Sequence, residues 1–318
     1  MKLVVGFVTY NESSTKYLGD FLSNLKYSLE FLKPVDKQIL VVDNSSSDYN
    51  LNRLALEYFN RENKPEMLVF PQKENLGFGS AYNILIKKAQ ELGAEYFLMV
   101  NPDVLLEVDA IHQLLIKIEA DKTLASVSPK IMRWDFEHKL KTKQLDSCGI
   151  ILKSGLKFND LGQGELDEGQ YDEMDILGPS GAAGLFRLNA LEKIKDEYGY
   201  FDSRFFMYKE DCDLVYRLRA TGFKSALVPE ALAYHDRTVG FYGQGLGQFI
   251  THRRRISKQA RSWSFKNQHL LFVKHFQKEK IGSRLLVLGR VLSLLFFSLI
   301  LEQFNLKQYP SIFRFLKA

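Results

Sequence analysis

The densest group of acidic side chains in the sequence is Glu210-Asp211-Cys212-Asp213, and its first two carboxylates suit proton transfer. A general base needs a carboxylate within reach of a hydroxyl in a partly desolvated cleft. Carboxylates at the start of a helix are also favoured by the helix dipole, so Glu210 or Asp211 alone fits a cap equally well. The segment therefore predicts a general base or a cap, on a helix that ends at Gly222.

Another carboxylate follows an apolar segment that is typical of a buried strand. Tyr96 to Val100 is interrupted by Asn101-Pro102-Asp103, and proline biases the residue before it toward extended backbone. With the strand period of two, Asn101 and Asp103 point to the same side. Oxygen ligands of this kind suit a hard divalent cation. An aspartate after proline is also a common turn residue, so the tripeptide alone leaves both interpretations open.

The segment Asn75-Leu76-Gly77-Phe78-Gly79, with Asn83 one turn later, places glycines at the predicted start of a helix. Backbone N–H groups at such a position can bind phosphate. The pattern follows the third predicted strand, and the first strand is followed by no Gly-x-Gly-x-x-Gly. This arrangement argues against a dinucleotide dehydrogenase.

These polar segments end strands in a chain whose first 130 residues alternate between strand and helix patterns. Consecutive βα units predict a mostly parallel sheet that is covered by helices on both faces. Ligands of such sheets bind outside the carboxyl ends of the strands. The four strand ends read TYNE, DNSSSD, PQKENLGFG and NPD. Amides and carboxylates at four successive strand ends predict a binding site without reference to any family.

The second part of the chain is less regular. From about Trp134 to Asp175, short strand-like runs such as GIILKSG predict an inserted hairpin or loop that shapes the pocket of a second ligand. A glycine cluster, GPSGAAGLFRLNAL, leads into a helix, and SALVPEALAYHD is a last strand that ends at His235. A lone histidine is usually structural. The carboxylates proposed nearby make His235 a candidate ligand of a cation or a diphosphate.

Length and composition limit the class of protein. With 318 residues and 46% hydrophobic residues, the chain can bury a large core. Its two cysteines, Cys148 and Cys212, form no disulfide framework or zinc motif, which fits a reducing, cytosolic setting. The apolar run from Leu3 to Val8 is too short for a signal peptide and is better explained as a first core strand.

The net charge of +5 is unevenly distributed. From Gly243 onward there are 14 Lys/Arg and 2 Asp/Glu, so a basic tail follows an acidic body. The tail also contains Leu285 to Leu301, 17 residues with one charge, which is slightly shorter than the ~20 residues that span a bilayer. A helix lying in the membrane surface or packed on a partner subunit is expected rather than a transmembrane span. A helix of the protein core is the open alternative.

Six motifs occur in the order seen in family 2 glycosyltransferases of the GT-A fold: VTYN, VVDNSSSD, ENLGFGSAYN, NPD, GAAGLFR and KEDCDLVYRLRATG. Over about Lys2 to His235 the chain most resembles the bacterial rhamnosyltransferase-type members, which build cell-wall and surface polysaccharides. The resemblance implies a GT-A domain at 1–240, with a nucleotide-binding part at about 1–130 and an acceptor and catalytic part at about 131–240. A helical region that associates with a membrane or a partner is expected at 241–318.

The resemblance also implies roles for single residues. The first two strand ends and the NLGFG segment of such enzymes hold the nucleotide, and their Asp-x-Asp binds Mg²⁺ or Mn²⁺ on the donor diphosphate. The expected donor-binding residues are Thr9, Asn11, Asp43, Asn75, Gly77, Asn83, Asn101 and Asp103. Asp103 and His235 are the expected metal ligands, and Asp211, beside Glu210, the expected base. Because Asn101 replaces the first carboxylate of the motif, we expect weaker metal affinity than in a two-carboxylate site.

The implied reaction is a single displacement with inversion. Asp211 takes the proton of an acceptor hydroxyl, which attacks the anomeric carbon opposite the leaving nucleoside diphosphate. The cation and a basic residue among Arg253 to Arg255 stabilise the leaving charge. The expected donor is dTDP-rhamnose, with UDP-sugars as the alternative. The expected acceptor is a lipid-linked glycan at the inner, cytoplasmic face of the cell membrane, where a basic tail meets anionic lipid, and a homo-oligomer is an open question.

Three other functions are compatible with parts of the sequence. A nucleotidyltransferase would carry a glycine-rich phosphate loop and a basic residue after the first strand, and TYNESS has neither. A non-catalytic binding subunit is supported by Asn101 and opposed by the intact Glu210-Asp211 pair. Nucleic-acid binding would rest on one basic run, HRRR, beside an acidic body, so no nucleic-acid partner is expected.

Overall fold

The computed structural model describes residues 1–32, 34–62, 66–237 and 253–317, and it shows a sheet flanked by helices. The strands are β1 Lys2–Thr9, β2 Asp36–Asp43, β3 Met67–Pro71, β4 Tyr96–Val100, β5 Val104–Leu106, β6 Leu124–Asp135, β7 Leu140–Ser147, β8 Ile150–Lys153, β9 Lys157–Asp160, β10 Ala183–Arg187 and β11 Lys224–His235. The helices are α1 Asn11–Phe31, α2 Leu51–Glu62, α3 Phe78–Glu91, α4 Ala110–Ala120, α5 Leu188–Ile194, α6 Glu210–Ala220, α7 Lys258–His275, α8 Ile281–Ile300 and α9 Tyr309–Lys317.

The central sheet has nine strands in the order β3-β2-β1-β4-β10-β6-β11-β5, with β7 paired to β6. The first four strands are parallel, as their alternation with helices predicts. β10 then runs antiparallel to both β4 and β6. It enters the sheet from a loop, without the crossover helix that a parallel neighbour requires. The sheet is therefore parallel in its N-terminal half and mixed beyond it.

Two apolar layers cover the sheet, one on each face. On β1, Leu3, Val5 and Phe7 belong to the layer that includes α1 and α4, and Val4 belongs to the layer that includes α3, α5 and α6. Because side chains alternate across a strand, a strand covered on both sides is apolar throughout. This burial explains the continuous apolar runs and leaves the polar strand ends for a ligand.

The C-terminal helices pack on the helix that starts with the acidic cluster. Buried Asp213 on α6 lies 2.8 Å from Arg217 Nε, 2.9 Å from Lys274 Nζ and 2.8 Å from His275 Nε2. Burial would raise the pKa of Asp213, but the hydrogen bond with His275 and the charges of Arg217 and Lys274 hold it far below its usual range. α7 is therefore tied to α6 by a buried ion network. The predicted domain boundary at 240/241 lies in 238–252, outside the described residues.

The predicted apolar helix of the tail is α8, and most of its surface is exposed. Val287 and Ser298 are its buried residues. The helix is long and apolar enough to cross a membrane by length and composition. It contacts the predicted hairpin, β8–β9: Arg290 Nη1 donates to the Gly155 carbonyl (2.7 Å), and the Gly155 N–H donates to Ser283 Oγ (2.8 Å). This exposure excludes the alternative of a core helix.

Candidate active site

A cleft of about 680 Å³ opens at the carboxyl ends of β1, β2 and β4. The loop before α6, the end of the β8–β9 hairpin and α7 also line it. Seven of the predicted site residues line it: Asn75, Gly77, Asn101, Asp103, Glu210, Asp211 and His235. The fold thus brings the predicted base and the predicted cation ligands to one cavity, although 108 positions separate Asp103 from Asp211 in the sequence.

Thr9, Asp43 and Asn11 do not line this cleft but hold the ends of β1 and β2. The Asp43 carboxylate is fully buried and accepts from Thr9 Oγ1 (2.9 Å), Ser45 Oγ (2.5 Å) and Arg53 Nε (2.7 Å). The Asn11 N–H donates to Ser45 Oγ (3.0 Å). Because these groups form hydrogen bonds with one another, they stabilise the strand ends next to the cleft. Their direct contact with a nucleoside stays a prediction.

Gly77 of the NLGFG segment lines the cleft and packs closely against the loop before α6. Gly77 has φ = 80°, and a Cβ there would collide with the Phe206 carbonyl oxygen. Asn75 Oδ1 accepts from the Gly77 N–H (2.9 Å), which closes the turn. Asn83 points elsewhere, since its amide exchanges two 2.8 Å hydrogen bonds with the backbone of Phe201. In this structure Asn83 fastens the loop after α5, and a role along the nucleotide stays a prediction.

His235 lies between two carboxylates at the end of β11. Its Nε2 lies 3.3 Å from Asp103 Oδ2 and its Nδ1 lies 2.8 Å from Asp146 Oδ2. Burial lowers the pKa of His235, but Asp103 and Asp146 outweigh burial and raise it to about 10. Asp103 Oδ1 is buried and has no hydrogen-bond partner within the described ranges. In the metal-free protein the histidine is thus an imidazolium that balances Asp103.

These two side chains fit the predicted divalent cation. A histidine that binds a metal through one ring nitrogen usually bonds to a carboxylate or carbonyl through the other, and Asp146 is that partner of His235 Nδ1. This contact directs Nε2 toward Asp103. A cation there would replace the histidine proton, because ligands bind metals deprotonated. Among residues that the structure describes, no three His, Cys, Asp or Glu side chains gather for a metal, so other ligands would come from diphosphate and water. Asn101 lines the same cleft, where its Oδ1 accepts from Tyr82 Oη (3.3 Å).

The Asp211 carboxylate lies in the same cleft, at the first turn of α6. Its oxygens accept from the N–H groups of Gly181 (2.9 Å) and Cys212 (2.8 Å). Burial, and then the charge of Asp160, raise the pKa of Asp211, and these two N–H groups offset part of the shift. Burial also raises the pKa of Glu210 well above its usual value, so Glu210 is protonated more readily than a surface glutamate. A partly buried carboxylate with a raised pKa, such as Asp211, suits a general base.

The turn that presents Asp211 has unusual backbone geometry. Tyr208 and Lys209 have φ values of 74° and 70°, a region that costs non-glycine residues of order 1 kcal/mol or more. Fully buried Asn267 on α7 donates to the carbonyls of Met207 and Tyr208, both at 2.8 Å. Helix α7 therefore stabilises the backbone conformation of the turn that presents Asp211 to the cleft.

The sequence analysis missed several charged residues of the site. Asp146 and Asp160 come from the irregular segment, where nothing in the local pattern marks them as different from surface acids. Arg237 pairs with Asp146 (2.9 Å) and Asp160 (2.8 Å) and lines the cleft. The predicted hairpin borders the cleft, because Phe158 and Asp160 of β9 line it, and its role in shaping a second ligand's pocket stays a prediction.

A basic residue among Arg253 to Arg255 was predicted to stabilise the leaving charge, and of these three Arg253 lines the cleft. Arg254 and Arg255 are exposed and are not among its lining residues. Arg261 on α7 also lines the cleft, as does Arg237. Arg253 and Arg261 both bind Glu302, which directly follows Leu301 at the end of α8.

Comparisons with known proteins agree with this geometry. The model of the family "Glycosyl transferase family 2" matches residues 4–194. Two curated relatives, from Mycobacterium tuberculosis strains CDC 1551 / Oshkosh and ATCC 25618 / H37Rv, are each named N-acetylglucosaminyl-diphospho-decaprenol L-rhamnosyltransferase. Each is 27% identical over 252 residues, which cover 74% of this chain and 76% of the relative.

Among solved structures, GalNAc-T7 with UDP, GalNAc and Mn²⁺ matches with a TM-score of 0.56 and 14% identity, over 89% of this chain. The match spans 52% of that longer protein, about half its length. The mannosyltransferase PcManGT from Pyrobaculum calidifontis, in complex with GDP-Man and Mn²⁺, matches with a TM-score of 0.53 and 16% identity, over 98% of this chain and 73% of its own. At these identities the likeness concerns the fold alone.

Proposed function

Since the chain belongs to glycosyltransferase family 2 and has the GT-A fold, we propose that it transfers L-rhamnose from dTDP-rhamnose to a hydroxyl of a lipid-linked glycan precursor. The sugar and the acceptor class follow the curated relatives, which are named as rhamnosyltransferases for a diphospho-lipid. The observation that carries the proposal is the position of the half-buried Asp211 carboxylate, which shares one cleft with Asp103 and His235.

The strand-end wall of the cleft is the proposed donor side. Asn75, Gly77 and Asn101 line it, and the turns behind them are held by the buried Asp43 network. Asp103 and His235 would hold a divalent cation, whose charge offsets that of the donor diphosphate. This role agrees with the unpartnered Asp103 Oδ1 within the described chain and with the Asp146 contact to His235.

Asp211 is the proposed general base. It accepts the proton of the acceptor hydroxyl while the acceptor oxygen bonds to the anomeric carbon. The bond between that carbon and the diphosphate oxygen breaks, and its electron pair leaves with the nucleoside diphosphate. Inversion follows from attack opposite the leaving group. The N–H groups of Gly181 and Cys212 fix the carboxylate, so it is oriented before the substrates bind.

The acceptor is proposed to approach from the membrane. Eight aliphatic or aromatic side chains are exposed within the described part of α8 alone: Ile281, Leu285, Leu286, Leu288, Leu292, Phe296, Leu299 and Ile300. Such a helix suits the interface of a bilayer, and the basic tail suits anionic lipid. We therefore place the enzyme in the cytoplasm, peripherally bound at the inner face of the cell membrane.

A release assay tests the proposal. The full chain is offered dTDP-rhamnose and a panel of UDP-sugars, each with Mn²⁺, Mg²⁺ or EDTA, and a lipid-linked N-acetylglucosaminyl diphosphate acceptor. We expect dTDP release that depends on acceptor and cation. Asp211→Asn should lower kcat by about 10²–10⁴-fold, the usual contribution of a general base, and leave donor binding intact. Asp175→Asn, at an exposed aspartate paired with Arg219, is the matched control.

The outcomes separate the parts of the proposal. Turnover of a UDP-sugar alone would keep the mechanism and reject dTDP-rhamnose. Undiminished turnover by Asp211→Asn would reject the assigned base. Tight donor binding without turnover for any acceptor would favour the non-catalytic subunit.

A further inference from the structure

Two arginines on the cleft wall share one buried carboxylate. Glu302 accepts from Arg253 Nε and from Arg261 Nη1, both at 2.7 Å, and its second oxygen accepts from Arg253 Nη2 at 2.9 Å. The Glu302 side chain is 3% exposed, whereas Arg253 is 26% and Arg261 13% exposed. The carboxylate thus orients both guanidinium groups, and both arginines line the cleft.

The charges of this group do not balance. Two guanidinium groups meet one carboxylate. Burial raises the pKa of Glu302, but the two arginines lower it by more than burial raises it and so hold Glu302 ionised. The three side chains together carry a net charge of +1. Within the described ranges, Arg261 Nε is also buried without a hydrogen-bond partner. Guanidinium groups with excess charge bind phosphate oxygens in a bidentate manner.

The trio also lies at a junction between polar and apolar surface. On one side is the cleft that holds Asp211, which both arginines line. On the other side is α8: the Arg253 guanidinium lies 5.2 Å from the ring centre of Phe297 on that helix. Glu302 directly follows the exposed apolar residues Ile300 and Leu301. The two arginines therefore lie between the catalytic cleft and the proposed membrane face.

We propose that Arg253 and Arg261 form a subsite for the diphosphate of the lipid-linked acceptor, oriented by Glu302. The inference rests on the proposed function, and it assigns the residues that recognise the acceptor's charged group. A glycosyl diphospho-lipid has its sugar at one end, its chain at the other and its diphosphate between them. The protein presents three matching surfaces in the same spatial order: the cleft with Asp211, the arginine pair and the apolar helix α8.

The acceptor explains this position better than the donor does. The donor diphosphate already has a proposed site at Asp103 and His235, on the strand-end wall. A sugar nucleotide also has no apolar chain to place on α8. A subsite next to an exposed apolar helix suits a ligand that is itself part lipid.

The test compares two acceptors that differ only at the diphosphate. One is N-acetylglucosaminyl diphospho-lipid, and the other is the same sugar on a neutral alkyl chain of equal length. We expect Arg253→Gln and Arg261→Gln to raise KM for the diphosphate acceptor about tenfold or more, the usual effect of losing one charge-assisted contact. KM for the neutral acceptor and for dTDP-rhamnose should change little. Arg314→Gln, at an exposed arginine of α9 outside the cleft, is the charge-matched control.

Arg261→Lys controls for folding, because it keeps the charge beside Glu302. We expect it to restore part of the affinity for the diphosphate acceptor. Equal losses on both acceptors, or a higher KM for the donor, would overturn the acceptor subsite while wild-type turnover upholds the proposed function. A wild-type chain that turns over neither acceptor would overturn the proposed function, and the subsite with it.

Discussion

Asp211 illustrates how the surroundings of one residue set its chemistry. Sequence alone leaves it as a cap or a base, and the structure shows that it receives two backbone N–H groups inside a cleft. Burial raises its pKa, and Asp160 is the charged neighbour that raises it further. A base must be deprotonated to act, so activity should fall as pH drops through this raised pKa.

The first prediction concerns the acid limb of the pH profile, that is, the fall of activity at low pH. Asp160→Asn removes a negative charge near Asp211, so the Asp211 pKa should decrease and the acid limb of kcat/KM should move to lower pH. The asparagine can still accept from Ser147 Oγ, which donates to Asp160 in the wild type (2.8 Å). The measurement is kcat/KM against pH for Asp160→Asn, with Asp175→Asn as the control for removing a remote carboxylate. An acid limb that stays in place or moves to higher pH would contradict the assignment of Asp211.

At the scale of the elements, α7 decides the geometry of the catalytic turn. Asn267 donates to two consecutive carbonyls before α6, where Tyr208 and Lys209 have positive φ. The turn and the helix are about 60 residues apart in the sequence. We infer that Asn267 is a positioning residue, which acts on the reaction through Asp211 and not through the substrates.

The second prediction separates positioning from stability. Asn267→Ala should lower kcat by about 10–100-fold, since small displacements of a catalytic group have effects of this size. Gln268→Ala removes the neighbouring buried amide, whose Nε2 has no hydrogen-bond partner in the described part of the chain, and it is the matched control. Asn267→Ala should lose about 1–3 kcal/mol of unfolding free energy in a denaturant titration, because the carbonyls of Met207 and Tyr208 lose their donor. Equal losses of kcat in the two variants would show that Asn267 is merely structural.

At the scale of the whole molecule, the exposed face of α8 gives the enzyme an orientation. Ile281, Leu285, Leu288, Leu292 and Phe296 recur at intervals of three or four residues, so they lie on one side of the helix. Ser283 and Arg290 face the β8–β9 hairpin, whose far end lines the cleft. If α8 lies in a bilayer surface, the cleft is held beside the lipid that carries the acceptor.

The third prediction tests this orientation. Replacing Leu285, Leu292 and Phe296 together by Ser should weaken binding to anionic phospholipid vesicles by about 100-fold or more, because three apolar side chains no longer enter the interface. Co-sedimentation with vesicles measures the change, and far-UV circular dichroism verifies that the variant is folded.

The control for this variant uses another exposed apolar group. Leu51, Leu54 and Tyr58 on α2 are also more than half exposed, and their replacement by Ser should not affect vesicle binding. If the α8 variant binds vesicles like the wild type but loses a concentration-dependent dimer in analytical ultracentrifugation, α8 is a subunit interface instead.

Much of the architecture was determined by the sequence. The apolar runs specify strands buried on both faces, the helical periodicity specifies the crossovers, and polar residues at successive strand ends specify where a ligand binds. The hairpin near GIILKSG and the exposed apolar helix were also predicted from local pattern. These features depend on neighbours within one or two turns of the chain, which is the range that hydrophobic periodicity reports.

The tertiary structure decided the contacts between distant segments. Asp146 meets His235 across 89 residues, Asn267 meets Tyr208 across 59, and Glu302 meets Arg253 across 49. The antiparallel entry of β10 and the turning of Asn83 away from the cleft were likewise decided by packing. No local pattern encodes these pairings, because a charged residue has the same periodicity whether it meets solvent or a buried partner. Only the docking of the C-terminal helices and the irregular segment on the sheet selects which charges are desolvated together, and desolvation is what makes them reactive.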